Sequence, residues 1–183
     1  MRFSRVQVQL QTLVLLCLMA TKCACAAERP ASIKTEMSFD LVHGAVIVSA
    51  TLEGRGPFAM ILDTGADPSI VDIQTARALG MKIASQGEQG VGTGTAVNLA
   101  YSTSLRTVTL GSTRAEHVDA LAMDLSGLSK ALGIPIQGVL GRSFMKGRAF
   151  QIDYPKHVVR FYKGSALHRS GEAADTLLIP TRS

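Results

Sequence analysis

Between Ala45 and Leu62 the chain reads AVIVSATL, then Glu53-Gly54-Arg55-Gly56-Pro57, then FAMIL. Both apolar runs are too short for a helix, are built of small and β-branched residues, and are separated by a tight turn. That combination predicts a β-hairpin. The same rhythm continues along the chain. Ser69-Ile70-Val71, residues 96–102, 105–110 and 115–122, and Val139-Leu140-Gly141 all read as short strands. Phe150, Ile152 and Tyr154 alternate on another, and Tyr154-Pro155-Lys156 turns it into 157–162. Residues 27–43 read as a polar arm ending in an edge strand. Helical pattern is confined to two places. Asp72 can cap a helix through Leu79 that Gly80 closes, and Leu125, Leu128, Ala131 and Leu132 are spaced helically up to Gly133. A brief helical turn follows Gly141. No linker interrupts this pattern, so the expectation is one mostly-β domain with one or two short helices.

The 183 residues carry 19 Lys and Arg against 14 Asp and Glu, a formal +5 that would suit a polyanionic partner. The location of the charge removes that reading. Arg2 and Arg5 precede an apolar stretch, Leu13 to Ala20, and Ala24-Cys25-Ala26 supplies the small residues of a cleavage site. This is the layout of a secretory signal, its apolar core too short for a membrane anchor. Removing residues 1–26 leaves 157 residues with 16 basic and 14 acidic side chains, which gives no electrostatic case for nucleic acid. Cys17, Cys23 and Cys25 all leave with the signal. An exported domain without thiols avoids mispairing, and it can have neither a thiolate nucleophile nor a cysteine metal site. A lipoprotein acylated at Cys23 or Cys25 would need small or apolar residues where Lys22 stands, so a periplasmic or secreted protein with no stable membrane span is expected.

The chemistry centres on Ile61-Leu62-Asp63-Thr64-Gly65-Ala66. A carboxylate directly after a buried strand, followed by Thr and Gly, can be presented on a tight turn. Gly65 lets backbones approach closely, so a second copy of the loop could pack against the first. Two carboxylates that close cannot both ionise. They share a proton, and one serves as base while the other serves as acid. Such a pair activates water against a peptide carbonyl without a metal or a covalent intermediate, and no cofactor is expected. About 75 residues later, Val139-Leu140-Gly141-Arg142 repeats the arrangement of two apolar residues, a glycine and a turn of helix.

With Ile61–Ala66, the glycines from Gly90 to Gly94, Val139–Arg142 and Ile152-Asp153-Tyr154 in that order, residues 38–163 resemble the retropepsin-like aspartic proteases, including exported bacterial members. The resemblance implies a single acid-protease domain over residues 27–163, a closed β-barrel half with a psi-loop. It makes Asp63 the catalytic aspartate. Thr64 resembles the hydroxyl residue that bonds across a dimer, Gly65 the residue whose carbonyl meets substrate backbone, and Ala66 completes the loop. Asp67 resembles the position that binds substrate backbone and pairs with the arginine after the second glycine, here Arg142. A bidentate ion pair between them would also tie the two loops together on elementary grounds. Gly90, Val91, Gly92, Thr93 and Gly94 resemble the flap, a hairpin that closes over substrate. The chain departs from the retroviral pattern there, because its glycines start early and its tip has little apolar character.

Only one Asp-Thr-Gly occurs, so one chain supplies half a dyad and the reading requires a homodimer with Asp63 at its two-fold axis. Residues 33–42 or 176–183 are the candidates to interleave there, the latter within a C-terminal tail over 164–183. The partner is then a peptide or protein substrate. Without a hydroxyl at Ala66 to support an ionised Asp63, the working pH is expected to be only moderately acidic. The rival reading is a peptide-binding or assembly module that keeps the fold without catalysis. Other chemistries lack their residues. Gly90–Gly94 is neither a dinucleotide fingerprint nor a P-loop, and His43, His117, His157 and His168 have no metal-ligand spacing. Gly141-Arg142-Ser143-Phe144-Met145 lacks the last glycine of a nucleophile elbow.

Overall fold

A computed structural model describes residues 32–90 and 98–163. The strands are β1 (Ile33–Ser38), β2 (Asp40–Val42), β3 (Ala45–Leu52), β4 (Arg55–Leu62), β5 (Ser69–Asp72), β6 (Glu88–Gly90), β7 (Asn98–Leu110), β8 (Thr113–Met123), β9 (Gly138–Leu140), β10 (Phe150–Asp153) and β11 (Val158–Tyr162). Three short helices join them: α1 (Ile73–Ala78) after β5, α2 (Ser126–Leu132) after β8 and α3 (Arg142–Met145) after β9. Residues 1–26, read as a secretory signal, the tail 164–183 and residues 91–94, read as the flap, lie outside the described residues.

Eight strands form one sheet in the order β2-β3-β4-β9-β5-β8-β7-β6. β3 also pairs with β7 through Thr51–Thr109 and Leu52–Val108, which closes six of the strands into a barrel. The pairing that matters most for the site is at its centre. β9 lies between β4 and β5, parallel to β4 with Leu62 opposite Leu140 and antiparallel to β5 with Val139 opposite Ile70. Since β4 and β5 are consecutive in the chain, residues 63–68 must arch over the end of β9. This is the psi-loop that the family resemblance implies.

The apolar run AVIVSATL opens without a break because β3 is buried on both faces over Val46–Val48. Val46, Val48, Ala50 and Leu52 join the main core, while Ile47 belongs to a second cluster. β4, β9 and β5 divide the same way: Met60, Leu62, Leu140 and Val71 pack in the first layer, Ile61, Val139 and Ile70 in the second. Leu128 and Leu132 of α2, with Ile134 and Ile136 beyond it, cover that second face. Complete burial of Leu140 alone is worth about 2 kcal/mol. β1, β11 and β10 make a separate antiparallel sheet, and its Val159, Phe161 and Phe150 close the main core from below.

Local signals explain the helix ends. Asp72 accepts hydrogen bonds from the Gln74 and Thr75 N–H groups, capping α1, and Gly80 beyond it has φ +69°. Gly133 ends α2 in the left-handed region at φ +70°. Two expectations shift. The segments read as 96–102 and 105–110 run together as one strand from Asn98, because Thr103 and Ser104 stay in the ladder opposite Ala120 and Asp119, which carries it through a polar stretch. β4 starts three residues before the predicted run, at Arg55, so only Glu53-Gly54 forms the turn. Among the described residues no helix is long and apolar enough to cross a membrane.

Candidate active site

β4 delivers Asp63 to the exposed end of the barrel. The strand ends because Leu62 is its last paired residue, opposite Leu140, and the Asp63 N–H closes the ladder by donating to Leu140 O at 3.1 Å. The chain then turns sharply. Gly65 N–H donates to Asp63 Oδ1 at 2.8 Å, which fixes one carboxylate oxygen against the loop and leaves the other without a protein donor among the described residues. A Cβ on Gly65 would stand 3.2 Å from that same Oδ1, so a larger residue would crowd the carboxylate. Thr64 is half-buried, and its hydroxyl has no hydrogen bond among the described residues. It remains available to a partner.

The arch is held down by the second glycine motif. Arg142 N–H donates to Ala66 O at 2.8 Å, so the start of α3 catches the loop from beneath. Arg142 Nη1 also lies 3.7 Å from Asp67 Oδ2, with both side chains about half exposed. The structure therefore brings Asp67 and Arg142 together as a single long contact rather than a bidentate pair. Val139 and Leu140 lie directly beneath the arch as the middle strand, one in each apolar layer. Gly90 ends β6, opposite Asn98 of β7, and the two strands pair antiparallel; Val91 to Gly94 lie outside the described residues.

A cleft of about 470 Å³ opens beside the carboxylate. Leu62, Asp63 and Thr64 form one wall, Ala45 and Val46 another, and Ile152 and Tyr154 of the three-stranded side face them. The wall is apolar apart from the Asp63–Thr64 edge, and Tyr154 is an exposed aromatic at its rim.

Two residues with a part in this arrangement carried no motif. Ser69 at the start of β5 is completely buried, and its Oγ accepts from Gly141 N–H at 3.0 Å. Ser143 Oγ accepts from Ser69 N–H at 2.9 Å, meets Ser69 Oγ at 2.8 Å, and donates to Asp119 O at 2.7 Å. One assignment satisfies every group: Ser69 donates its proton to Ser143, and Ser143 donates its own to Asp119. Ser143 is thus consumed in a structural bridge from α3 to β5 and β8. The one available sequence signal was a lone hydroxyl opening the apolar strand Ser69-Ile70-Val71.

The family model described as aspartyl protease matches residues 48–144, more than half of the chain. No curated protein matches the sequence. A solved retropepsin-like aspartic protease from Rickettsia conorii superposes with TM-score 0.51 at 19% identity, covering 73% of this chain and 96% of that one. The retroviral protease-like domain of Ddi1 from Leishmania major aligns at 15% identity and TM-score 0.43, over 66% of this chain and 95% of that one. The protease of EIAV, in complex with an inhibitor, aligns at 21% identity and TM-score 0.39, over 54% and 83%. With its strand order, its single Asp-Thr-Gly arch and the span of the family match in agreement, the chain belongs to the aspartyl protease family and has the retropepsin-like fold.

Proposed function

We propose that the protein is an aspartic endopeptidase that works as a homodimer, with Asp63 and its symmetry mate activating one water between them. The observation that carries this reading is the presentation of Asp63. It is an exposed carboxylate at the end of a buried strand, on an arch bonded to β9 and to the start of α3, with one oxygen free of protein donors among the described residues. A single such group cannot be acid and base at once, and a second copy supplies the other half. The unengaged Thr64 hydroxyl fits a bond between the two arches. In the dimer the paired carboxyls hold one proton. The ionised one takes a proton from water as the oxygen attacks the peptide carbonyl, and the protonated one hydrogen-bonds the carbonyl oxygen as charge develops there. The leaving amine then receives the proton taken from water.

Substrate would lie extended between the arches and the β6–β7 hairpin, bonded along its backbone and read by pockets on alternate side chains. Asp67, held by Arg142, would meet that backbone beside the arch. The layout of residues 1–26 supports export, to the periplasm or out of the cell.

The deciding experiment uses the chain without residues 1–26. A randomised peptide library is incubated with wild type and with Asp63→Asn from about pH 4 to about pH 8, beside a measurement of oligomeric state. Cleavage by wild type alone, from a dimer, supports the mechanism. A persistent monomer without cleavage would overturn it in favour of a binding module.

A further inference from the structure

On another part of the surface a second cleft, of about 430 Å³, is lined by Lys34, Thr113, Arg148, Phe161, Tyr162 and Lys163. It shares no lining residue with the cleft at Asp63. Three of its six named side chains are cations and none is an acid. Among the described residues, no carboxylate lies within ion-pair distance of Lys34, Arg148 or Lys163, although Arg106, Arg114, Arg142 and Arg160 each have one. Gathering like charge into a concavity is unfavourable unless an anion joins it.

The donors that face the cleft are specific. Arg148 is half-buried and lies 5.3 Å over the Phe144 ring, and burial lowers its ordinarily very high pKa without neutralising it. Its Nη1 donates to Phe144 O at 2.5 Å and Lys146 O at 3.1 Å, and its Nη2 reaches Arg114 O at 3.5 Å. Of five guanidinium hydrogens, three are taken and two remain, one on Nε and one on Nη2, the two nitrogens that can grip an oxyanion side-on. The neutral hydroxyls offer nothing further, since Thr113 donates to Thr35 Oγ1 and Tyr162 to Gln151. Lys34 comes from an irregularity. The register between β1 and β11 slips between Ile33 and Thr35, so Lys34 is an extra residue in its strand, and a bulge of this kind re-aims its side chain.

We infer that this cleft binds a phosphate group, with the free edge of Arg148 on two of its oxygens and the Lys34 and Lys163 ammonium groups closing on the others. Three cations match a dianion better than a single carboxylate. The phosphate could belong to a small soluble compound or to the headgroup of an anionic lipid, and the chemistry of capture is the same.

The test titrates the purified chain without residues 1–26 with inorganic pyrophosphate at low ionic strength by calorimetry, and in parallel sediments it with vesicles of phosphatidylglycerol or of phosphatidylcholine. Arg148 also caps α3, so its replacement could unfold the protein, whereas Lys34 and Lys163 are exposed and their exchange leaves the fold in place. Saturable pyrophosphate binding, weakened about fivefold in each of Lys34→Gln and Lys163→Gln and by added salt, supports the site with a soluble ligand. Sedimentation with phosphatidylglycerol alone, lost in the Lys34→Gln/Lys163→Gln double variant, supports it with a headgroup. Absence of both, or a double variant that binds like wild type, overturns it. Asp63→Asn should bind as wild type does, which separates this result from the fate of the peptidase reading.

Discussion

Gly141 and Ala66 meet backbone to backbone: a Cβ built on Gly141 would lie 2.4 Å from Ala66 O. Gly141 has φ −101° and ψ −159°, a conformation open to any residue, so the demand is for space and not for backbone freedom. The contact is with a carbonyl in the arch, which cannot swing aside as a side-chain tip could. Gly141→Ala should therefore destabilise the domain by about 1–3 kcal/mol and displace residues 63–67, with loss of peptide cleavage. Gly127→Ala in α2 meets nothing within 4 Å and serves as the control. It should raise stability by about 0.5 kcal/mol through helix propensity. Urea unfolding of both variants reads the difference, and equal effects would remove the packing argument.

Arg142 contributes through geometry more than through stability. Its contact with Asp67 is 3.7 Å long and both side chains are half exposed, the setting in which an ion pair is worth under about 1 kcal/mol. Its backbone N–H to Ala66 O survives any substitution other than proline. Arg142→Lys should thus leave the melting temperature within about 2 °C of wild type while cutting kcat/KM, because a point charge orients Asp67 less well than a planar fork. Unchanged turnover in this variant would refute the pairing as a determinant of the site.

Ser69 and Ser143 should behave as one unit. Removing the Ser69 hydroxyl leaves Gly141 N–H without its acceptor, in a buried position. Removing that of Ser143 strands Ser69 N–H and Asp119 O. Each alanine variant should cost about 1–3 kcal/mol, and the double variant should cost less than the two together, since each single change already breaks the shared bond. Strict additivity in a double-mutant cycle would show that the two hydroxyls act apart.

How much of this was legible follows from which interactions repeat in sequence. The strands from Ala45 to Leu62 announced themselves because both faces are apolar, and Asp72, Gly80 and Gly133 marked helix ends through local hydrogen bonding and backbone conformation. Asp63, Gly141 and Arg142 were found through the recurrence of one pattern about 75 residues apart. The pairing of β9 between β4 and β5 was expected only through family resemblance, because a three-residue strand carries no register information of its own. The serine bridge was not found, since a hydroxyl bond across 74 residues leaves no periodic trace. Gly138 is required by the Ile70 carbonyl, 2.4 Å from where its Cβ would stand, a contact with no local sequence signal. The Asp67–Arg142 pair was anticipated in identity but not in strength.

The three-stranded sheet should keep its stability well into the acid range. Arg160 on its central strand donates to Asp153 Oδ2 at 3.0 Å and is also paired with Glu36 across β1. The hydrogen bond from Arg160, aided by the Lys156 N–H, holds the Asp153 carboxyl below its ordinary value of 3.8, against the opposing effect of burial. A carboxyl depressed by folding contributes stability that is complete above its unfolded value and is lost as pH falls through the folded one. The melting temperature of Asp153→Asn should accordingly lie below wild type at neutral pH, and the gap should narrow only below pH 3.8. Melting curves from about pH 7 to about pH 2 measure it. A gap that stays constant to the acid end would show that the Asp153–Arg160 pair is not what titrates. A gap that closes above pH 3.8 would place the carboxyl at or above its ordinary value, and the hydrogen bond from Arg160 would not be what depresses it.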